Sequence, residues 1–164
     1  MQDISSMLVA EIAAPHRGDR VIDVCAAPGG KSMHIADLLD GSGMVAARDL
    51  TEYKVGLIEE NICRTGFQNI RAEQKDATVF DKDSERIADI VIADLPCSGL
   101  GVLAKKTDLK YKMTKEGTES LAKLQREILE VVRNYVKEGG ALVYSTCTIN
   151  PAENLENVRW FLDN

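Results

Sequence analysis

The sequence predicts an α/β domain built on an open, mostly parallel β-sheet with helices on both faces. Short apolar runs of strand length alternate with longer stretches in which apolar residues recur every three or four positions. Parallel strands need a crossover between them, and a helix is the usual crossover, so this alternation favours a parallel sheet. The length of 164 residues fits one domain. These features together predict a Rossmann-like sheet.

Five segments carry the strand pattern. Each is a run of mainly apolar residues bounded by polar or glycine-rich stretches. In chain order they are residues 21–27, 44–49, 70–76, 89–95 and 141–145. The fourth run is the most apolar and the third is the weakest. Doubly wound sheets often carry further strands, so we expect this sheet to lack its last strands beyond the fifth.

The segments between the strands have helical spacing and recognisable stops. A front helix is expected over residues 4–12, with Ser5 or Ser6 near its start. The second helix is expected from Gly30 to a stop at 41–43, and the third from the cap Thr51 to Gly66. The fourth follows the apolar stripe from Leu121 to Tyr135 and stops at Gly139-Gly140. The last helix begins with a first turn that contains Pro151. Residues 100–117 have no clear period, so we expect a loop with at most one helical turn.

The charge argues against a self-sufficient nucleic-acid binder. The formal net charge is −6, whereas such proteins usually show a basic footprint. One lysine-rich stretch opposes this average, and a solvated loop accounts for it as well as a nucleic-acid contact does; its members are Lys105, Lys106, Lys110, Lys112 and Lys115. No apolar stretch approaches ~20 residues and no secretory signal opens the chain, which predicts a cytoplasmic protein without a membrane partner.

The cysteine pattern predicts free thiols and no metal site. The chain has no CxxC pair and no zinc-like spacing between its cysteines and His16 or His34. In a cytoplasmic protein such cysteines are free. Cys63, and with less force Cys25, are expected to be small buried apolar residues.

The turn after the first predicted strand has the composition of a cofactor-binding turn. It reads Asp23-Val24-Cys25-Ala26-Ala27-Pro28-Gly29-Gly30-Lys31-Ser32. Small residues and paired glycines allow backbone amides to approach a ligand closely. A Walker A loop would need a glycine where Cys25 stands, and a dinucleotide fingerprint would need GxGxxG, so neither phosphate-binding motif is present.

Two aspartates follow the next two strands. Asp49 ends the second strand, about twenty residues after the glycine turn, where an acid can accept hydrogen bonds from ribose hydroxyls. Asp76 ends the third strand and could reach an adenine amino group. Either aspartate alone could be an ordinary turn former. The three strand ends together predict an adenosine pocket without a phosphate grip, which favours S-adenosylmethionine over NAD or ATP.

Two cysteines follow the fourth and fifth strands. Cys97 lies in Asp94-Leu95-Pro96-Cys97-Ser98-Gly99 and Cys147 lies in Ser145-Thr146-Cys147-Thr148. Chemistry gathers at the carboxyl ends of the strands in open parallel sheets. Two thiols at that edge, one of them close to Asp94, suggest covalent catalysis.

These motifs, in this order and spacing, closely resemble the catalytic domain of the Sun/Fmu-type RNA cytosine-C5 methyltransferases, relatives of the nucleolar NOP/NSUN proteins. The resemblance covers nearly the whole chain. Further elements that resemble the family are Gln2-Asp3-Ile4-Ser5-Ser6, the loop Gly101-Val102-Leu103 with Lys105, Lys106 and Asp108, and Pro151-Ala152-Glu153-Asn154. The resemblance implies a Rossmann-like S-adenosylmethionine-dependent methyltransferase fold and methylation of carbon 5 of cytosine in RNA.

The resemblance also implies roles for single residues. Cys147 is the implied nucleophile, whose addition at carbon 6 makes the poorly nucleophilic carbon 5 enamine-like. Cys97 is implicated in release, Asp94 in holding the base near N3 and supplying a proton, and Lys31 in contacting the base or orienting Asp94. The implied cofactor-binding set is Cys25, Ala26, Ala27, Pro28, Gly29, Gly30, Lys31, Asp49, Lys54, Asp76 and Asp94. In DNA cytosine methyltransferases the Pro-Cys cysteine is the nucleophile and no Thr-Cys partner exists, so Cys147 favours RNA.

The chain departs from the family in two respects. Ala104 and Thr107 replace an arginine and the proline of the family's lysine-rich loop. Family members usually carry an RNA-binding domain before this region and further strands after it, so residues 1–164 are expected to be the catalytic domain alone. Ribosomal RNA is the expected partner, with transfer RNA as an alternative. A truncated S-adenosylmethionine-binding domain without independent activity is the other alternative, and the oligomeric state is not predicted.

Overall fold

The computed structural model describes residues 4–102 and 114–164, and in them five strands form one parallel sheet. The strands are β1 Arg20–Asp23, β2 Met44–Asp49, β3 Ile70–Gln74, β4 Ala88–Asp94 and β5 Val136–Ser145. Their order across the sheet is β3-β2-β1-β4-β5. The strand order reverses between β1 and β4, and ligands of open α/β sheets bind at the carboxyl ends of the strands beside such a switch point.

Five α-helices connect or flank the strands in the described residues. They are α1 Ile4–Ala13, α2 Gly30–Leu38, α3 Glu52–Thr65, α4 Lys115–Val132 and α5 Leu155–Asp163. The start of α3 is capped as expected, because the Thr51 hydroxyl accepts a hydrogen bond from the Lys54 amide. Gly66 closes the same helix in the left-handed conformation, with φ 74°. None of the described helices is long and apolar enough to cross a membrane.

The core has two layers, one on each face of the sheet. Alternate residues along β1 and β4 point to opposite faces, as the two-residue repeat of a strand requires. Val21 and Ile92 pack with α1, α2 and α3, whereas Ile22 and Val91 pack with α4. Both faces of the central strands are therefore buried, which explains why the fourth strand is the most apolar run of the sequence.

The structure corrects the bounds of four predicted strands. β3 ends at Gln74 instead of residue 76, and β4 spans Ala88–Asp94 instead of 89–95, whereas the changes to β1 and β5 are larger. β1 ends at Asp23 instead of residue 27, because the chain turns at Val24 and leaves the sheet. β5 begins at Val136 instead of residue 141, so Gly139 and Gly140 lie within a strand and do not stop a helix. The register against β4 shifts between Ala88 and Ile90. A Cβ atom at Gly140 would lie 2.7 Å from the Asp89 carbonyl oxygen, so the pairing there requires glycine.

The helical stretches near the carboxyl end also differ from expectation. α4 ends at Val132 and is followed by a short 3-10 helix, Arg133–Tyr135. Its start at Lys115 lies inside the region expected to be a loop. Pro151 lies in a separate 3-10 helix, Pro151–Glu153, that precedes α5. The expected residues Gln2 and Asp3 and the loop residues 103–113, with Lys105, Lys106, Asp108, Lys110 and Lys112, lie outside the described residues.

Candidate functional site

The turn between β1 and α2 forms one wall of the candidate site. The Ala26 amide donates to the Arg48 carbonyl at 2.8 Å and the Gly29 amide donates to the Ala26 carbonyl at 2.6 Å. Gly29 has φ 99°, and a Cβ atom there would lie 3.2 Å from Cε of Met33. Left-handed backbone and close packing both favour glycine at this position. The turn delivers Lys31 and Ser32 on the first turn of α2.

Asp49 holds this turn from the end of β2. Its Oδ2 accepts a hydrogen bond from the Ala27 amide at 3.0 Å, and its Oδ1 accepts from the Leu50 amide at 2.8 Å. The Lys54 ammonium lies 2.9 Å from the same Oδ1. The carboxylate is buried, so it fixes the turn against the second strand. Asp49 and Lys54 are thus joined, as two members of the expected cofactor set.

Asp76 lies in the loop after β3, two residues beyond the end of that strand. Its Oδ1 accepts hydrogen bonds from both the amide and the hydroxyl of Thr78, at 2.9 and 2.7 Å. These two bonds lower the pKa of Asp76. The neighbouring Lys75 amide donates to the Asp49 carbonyl at 3.0 Å, so the loops that follow β2 and β3 are adjacent.

A cleft of about 720 Å³ opens beside the β1–α2 turn. It collects much of the expected set, together with residues of α1, α2 and α3. The expected residues that line it are Cys25, Ala26, Ala27, Pro28, Gly30, Lys31 and Asp94. Among the described residues of the expected set, Gly29, Asp49, Lys54 and Asp76 do not line it, and neither do the cysteines Cys97 and Cys147.

Asp23 also faces this cleft, and sequence reasoning did not select it as a site residue. It is 1% exposed, its Oδ2 accepts a hydrogen bond from the Ser32 hydroxyl at 2.6 Å, and its Oδ1 has no hydrogen-bond partner among the described residues. Burial raises its pKa to about 7, and the Ser32 hydrogen bond opposes this rise only in part. A charged residue at the end of a buried strand was the available signal.

Lys31 and Asp94 form an ion pair at the carboxyl end of β4. The Lys31 Nζ lies 2.6 Å from Oδ2 of Asp94, and both side chains are partly buried. The Ser145 hydroxyl at the end of β5 donates to the other oxygen of Asp94 at 2.7 Å. Both oxygens of Asp94 are therefore held, one from α2 and one from β5. The pair can orient a polar ligand that enters the cleft and can exchange a proton with it.

Cys97 and Cys147 follow the two strand ends that hold Asp94. Cys97 lies three residues after Asp94, and Cys147 lies two residues after Ser145. Their Sγ atoms lie 3.2 Å apart, and the Cys147 amide donates to the Cys97 Sγ at 3.3 Å. The hydrogen bond to Cys147 and partial burial raise the pKa of Cys97. The Gly101 amide donates to the Cys147 carbonyl at 3.1 Å, and a Cβ atom at Gly101 would lie 2.9 Å from that oxygen. The loops that carry the thiols are thus in direct contact.

The other two cysteines differ from each other. Cys63 is exposed on α3, so the expectation that it is a buried apolar residue is wrong. Cys25 lies in the β1–α2 turn, where burial raises its pKa to about 12, and it therefore remains a thiol at neutral pH. Within 4–102 and 114–164, no three His, Cys, Asp or Glu side chains gather as they would around a metal ion.

Known proteins match nearly the whole chain. A family model described as 16S rRNA methyltransferase RsmB/F matches residues 10–164. The probable ribosomal RNA small subunit methyltransferase B of Bacillus subtilis is 44% identical over 163 residues, which are 99% of this chain and 36% of that protein. The tRNA (cytosine(72)-C(5))-methyltransferase of Pyrococcus horikoshii is 38% identical over 161 residues, which are 98% of this chain and 40% of that protein.

A solved structure supports the same relationship. The crystal structure of NSun6 from Pyrococcus horikoshii with SFG superposes with a TM-score of 0.87 and 35% identity, over 99% of this chain and 41% of that chain. The fold expected from the sequence, a Rossmann-like methyltransferase sheet with helices on both faces, is confirmed. The chain spans between 36% and 41% of the length of these proteins.

Proposed function

The chain belongs to the RsmB/F family of 16S rRNA methyltransferases, and from this premise we propose that it methylates carbon 5 of a cytosine in RNA with S-adenosylmethionine as donor. The observation that carries the proposal is the pair of thiols, Cys97 and Cys147, 3.2 Å apart at the carboxyl edge of the sheet. Thiols there suit covalent catalysis of a reaction at an unreactive ring carbon. The adjacent Lys31–Asp94 ion pair supplies polar contacts for the base.

The residues present fit the methyl donor. S-adenosylmethionine carries a positively charged sulfonium and, when bound, supplies an electrophilic methyl group. The buried Oδ1 of Asp23 has no hydrogen-bond partner in the part of the chain that the structure describes, and this suits a cleft that receives a cationic ligand. The β1–α2 turn from Cys25 to Lys31, with Asp49, Lys54, Asp76 and Asp94, is proposed to hold the donor. Asp49 acts partly through the turn, since it fixes the Ala27 amide.

Cys147 is proposed to add to carbon 6 of the cytosine. It is exposed, so an unstacked base can reach it. The two Sγ atoms lie 3.2 Å apart, so the proton of Cys97 can be donated toward the Cys147 sulfur. The thiolate is the reactive form of a cysteine, and a neighbouring S–H donor can stabilise it. Lys31 and Asp94 are proposed to hold the base near N3 and to supply the proton needed there.

Cys97 is proposed to act after methyl transfer. Once the Cys147 sulfur is bonded to carbon 6, it carries no negative charge and is only a weak acceptor for the proton of Cys97. Cys97, which is partly exposed, can then release that proton to solvent water and, as a thiolate, accept the proton from carbon 5. The electron pair of the C–H bond forms the double bond between carbons 5 and 6, while the carbon–sulfur bond breaks and leaves a thiolate on Cys147.

Ribosomal RNA is the proposed substrate. The description of the matching family names 16S rRNA, and the name of the Bacillus subtilis relative refers to small-subunit ribosomal RNA. Transfer RNA is the second candidate, because the Pyrococcus horikoshii relative is described by it. Bisulfite sequencing of RNA from cells with and without the gene tests both. Loss of a methylcytosine from small-subunit rRNA supports the first and loss from tRNA the second, whereas unchanged patterns contradict the proposal. A cytoplasmic location belongs to the same proposal.

The nucleophile assignment is tested with Cys147→Ala in the full-length protein. We expect this variant to bind the donor with unchanged affinity and to transfer no methyl group to RNA. Calorimetric titration with donor and a radiolabelled methyl-transfer assay give the two values. Methyl transfer at the wild-type rate would exclude Cys147 as the nucleophile.

The release assignment is tested with Cys97→Ala. We expect this variant to accumulate a covalent protein–RNA adduct through Cys147, since the second step is blocked. Denaturing gels should show a shifted band that is lost in the Cys97→Ala, Cys147→Ala double variant. Absence of the band in the single variant, with donor and RNA present, would contradict the release role.

A binding function without turnover is distinguished by titrating the chain with donor and then with RNA. Binding of donor without affinity for RNA would indicate an intact donor pocket in a domain that lacks independent activity. The net charge of −6 favours this outcome for the chain by itself.

A further inference from the structure

A buried carboxylate, Glu153, joins the two cysteine loops. Glu153 is 0% exposed and lies in the 3-10 helix that follows the Cys147 loop. Its Oε1 accepts from the Ser98 hydroxyl at 2.6 Å, and its Oε2 accepts from the Ser98 amide at 2.8 Å. Ser98 directly follows Cys97, so Glu153 fixes the backbone on which the first thiol is carried.

A chain of hydroxyls connects Glu153 to the second thiol. The Ser98 Oγ lies 2.7 Å from the Thr148 Oγ1, and Thr148 directly follows Cys147. Because a carboxylate can only accept, the Ser98 hydroxyl donates to Glu153 and the Thr148 hydroxyl therefore donates to Ser98. The Asn150 amide donates in turn to the Thr148 oxygen at 3.2 Å. Each donor in this chain of hydrogen bonds therefore points from the Cys147 loop toward Glu153.

Two further side chains complete the set of donors. The Asn150 side-chain amide donates to Oε1 of Glu153 at 3.0 Å. Gln125 of α4 donates to Oε2 at 3.2 Å and also to the Pro96 carbonyl at 2.8 Å, just before Cys97. Glu153 therefore receives four hydrogen bonds, from the loop after β4, the loop after β5 and α4. A buried carboxylate persists where such donors surround it.

We propose that Glu153 is the positioning residue that sets the separation of Cys97 and Cys147, and this role rests on the function proposed for the two thiols. Glu153 acts on the two thiol loops through Ser98 and, beyond it, Thr148. Hydrogen-bond donors face both oxygens of Glu153, so the side chain at this position must accept hydrogen bonds at both of its terminal atoms. An amide at this position would direct an N–H group at another donor, so the loops would have to move apart.

The test is Glu153→Gln, which preserves size and removes only the second acceptor. The measurement is the rate at which dibromobimane, a reagent that links two nearby thiols, joins Cys97 to Cys147, identified by peptide mass spectrometry. We expect the rate to fall at least about tenfold. Donor affinity, measured by calorimetry, should stay within about twofold, because Glu153 does not line the donor cleft.

Glu73→Gln is the matched control, because Glu73 pairs with Arg48 and Arg71 on β2 and β3, away from both cysteines. It should cross-link at the wild-type rate. A wild-type rate in Glu153→Gln would overturn the proposal, and so would an equal fall in the Glu73→Gln control. If Glu153→Gln does not fold by circular dichroism, Ser98→Ala decides: a slow rate supports the positioning role, and a wild-type rate overturns it.

The cross-linking measurement needs neither RNA nor methyl transfer. It can fail while the methyltransferase proposal stands, and the methyltransferase proposal can fail while the two loops still depend on Glu153. In the full-length protein, a lowered rate constant for methyl transfer with unchanged KM for the donor would extend the role to the reaction.

Discussion

The buried carboxyl of Asp23 makes the stability of the protein depend on pH in a direction opposite to that of most aspartates. Asp23 is buried at the end of β1, and this burial raises its pKa from 3.8 to about 7. The folded protein therefore keeps a proton on Asp23 in a pH range in which the unfolded chain has released it. The perturbation that tests this is Asp23→Asn, whose neutral side chain resembles the protonated acid and can still accept the Ser32 hydrogen bond.

The magnitude follows from the two pKa values. Because the folded state binds more protons, the free energy of unfolding falls as the pH rises from 3.8 to about 7, and it levels off above that. At about 1.36 kcal/mol per pH unit, the full difference is about 4 kcal/mol. Between pH 5 and pH 8, the free energy of unfolding of the wild type should fall by about 3 kcal/mol relative to that of Asp23→Asn. The variant can be less stable at every pH, since its amide is buried, so the slope is the informative quantity.

Urea unfolding across this pH range, followed by circular dichroism and by the fluorescence of Trp160, the only tryptophan, gives the required free energies. Asp81→Asn is the control. Burial acts to raise the pKa of Asp81, but hydrogen bonds from Ser84 and Lys75 outweigh it and lower the pKa. The stabilisation that ionised Asp81 contributes is therefore lost only in acid. The difference in free energy of unfolding between Asp81→Asn and the wild type should be constant between pH 5 and pH 8. Parallel pH profiles of wild type and Asp23→Asn would refute the reasoning about Asp23.

Two further predictions concern the ion pair and the turn before β2. Lys31→Met removes the ammonium held 2.6 Å from Asp94 and should slow methyl transfer by about 10²-fold in the full-length protein, whereas a weakened donor affinity with an unchanged transfer rate would contradict the role. Gly43→Ala should destabilise the fold by about 1–3 kcal/mol more than Gly41→Ala in urea unfolding. Both glycines are left-handed, but only a Cβ atom at Gly43 would overlap a backbone atom, the Asp19 carbonyl oxygen; equal losses would contradict this.

The fold could be predicted largely because its signals are local. All five strands were expected, and the cap Thr51 and the closing Gly66 of α3 are confirmed. The errors lie where long-range pairing decides. The glycine pair 139–140 has the composition of a helix stop, yet it serves a close approach to Asp89 on a neighbouring strand. Composition does not reveal which strand passes beside a glycine.

The site was predicted less completely than the fold. The motifs placed the thiols and the Lys31–Asp94 pair at one sheet edge, because strand ends converge there. Asp23 and Glu153 lie within two of the motifs, but the motifs do not mark them as functional residues. Their importance depends on burial and on hydrogen-bond partners distant in the chain, such as Ser98 for Glu153, 55 residues away. Sequence spacing carries no information about such partners.

The irregular pairing of β4 and β5 explains how the thiols reach each other. At its start, Ala88 pairs with Val136, whereas from Ile90 onward the partner lies three residues further along, so that Asp94 pairs with Ser145. Had the first register continued, Asp94 would face Leu142, and the Cys147 loop would lie about 10 Å further along the sheet, at about 3.3 Å per residue. An odd shift would also turn the side chains of β5 to the opposite face. The bulge that Gly140 permits near the start of β5 therefore sets the position of the Cys147 loop at the carboxyl end of that strand.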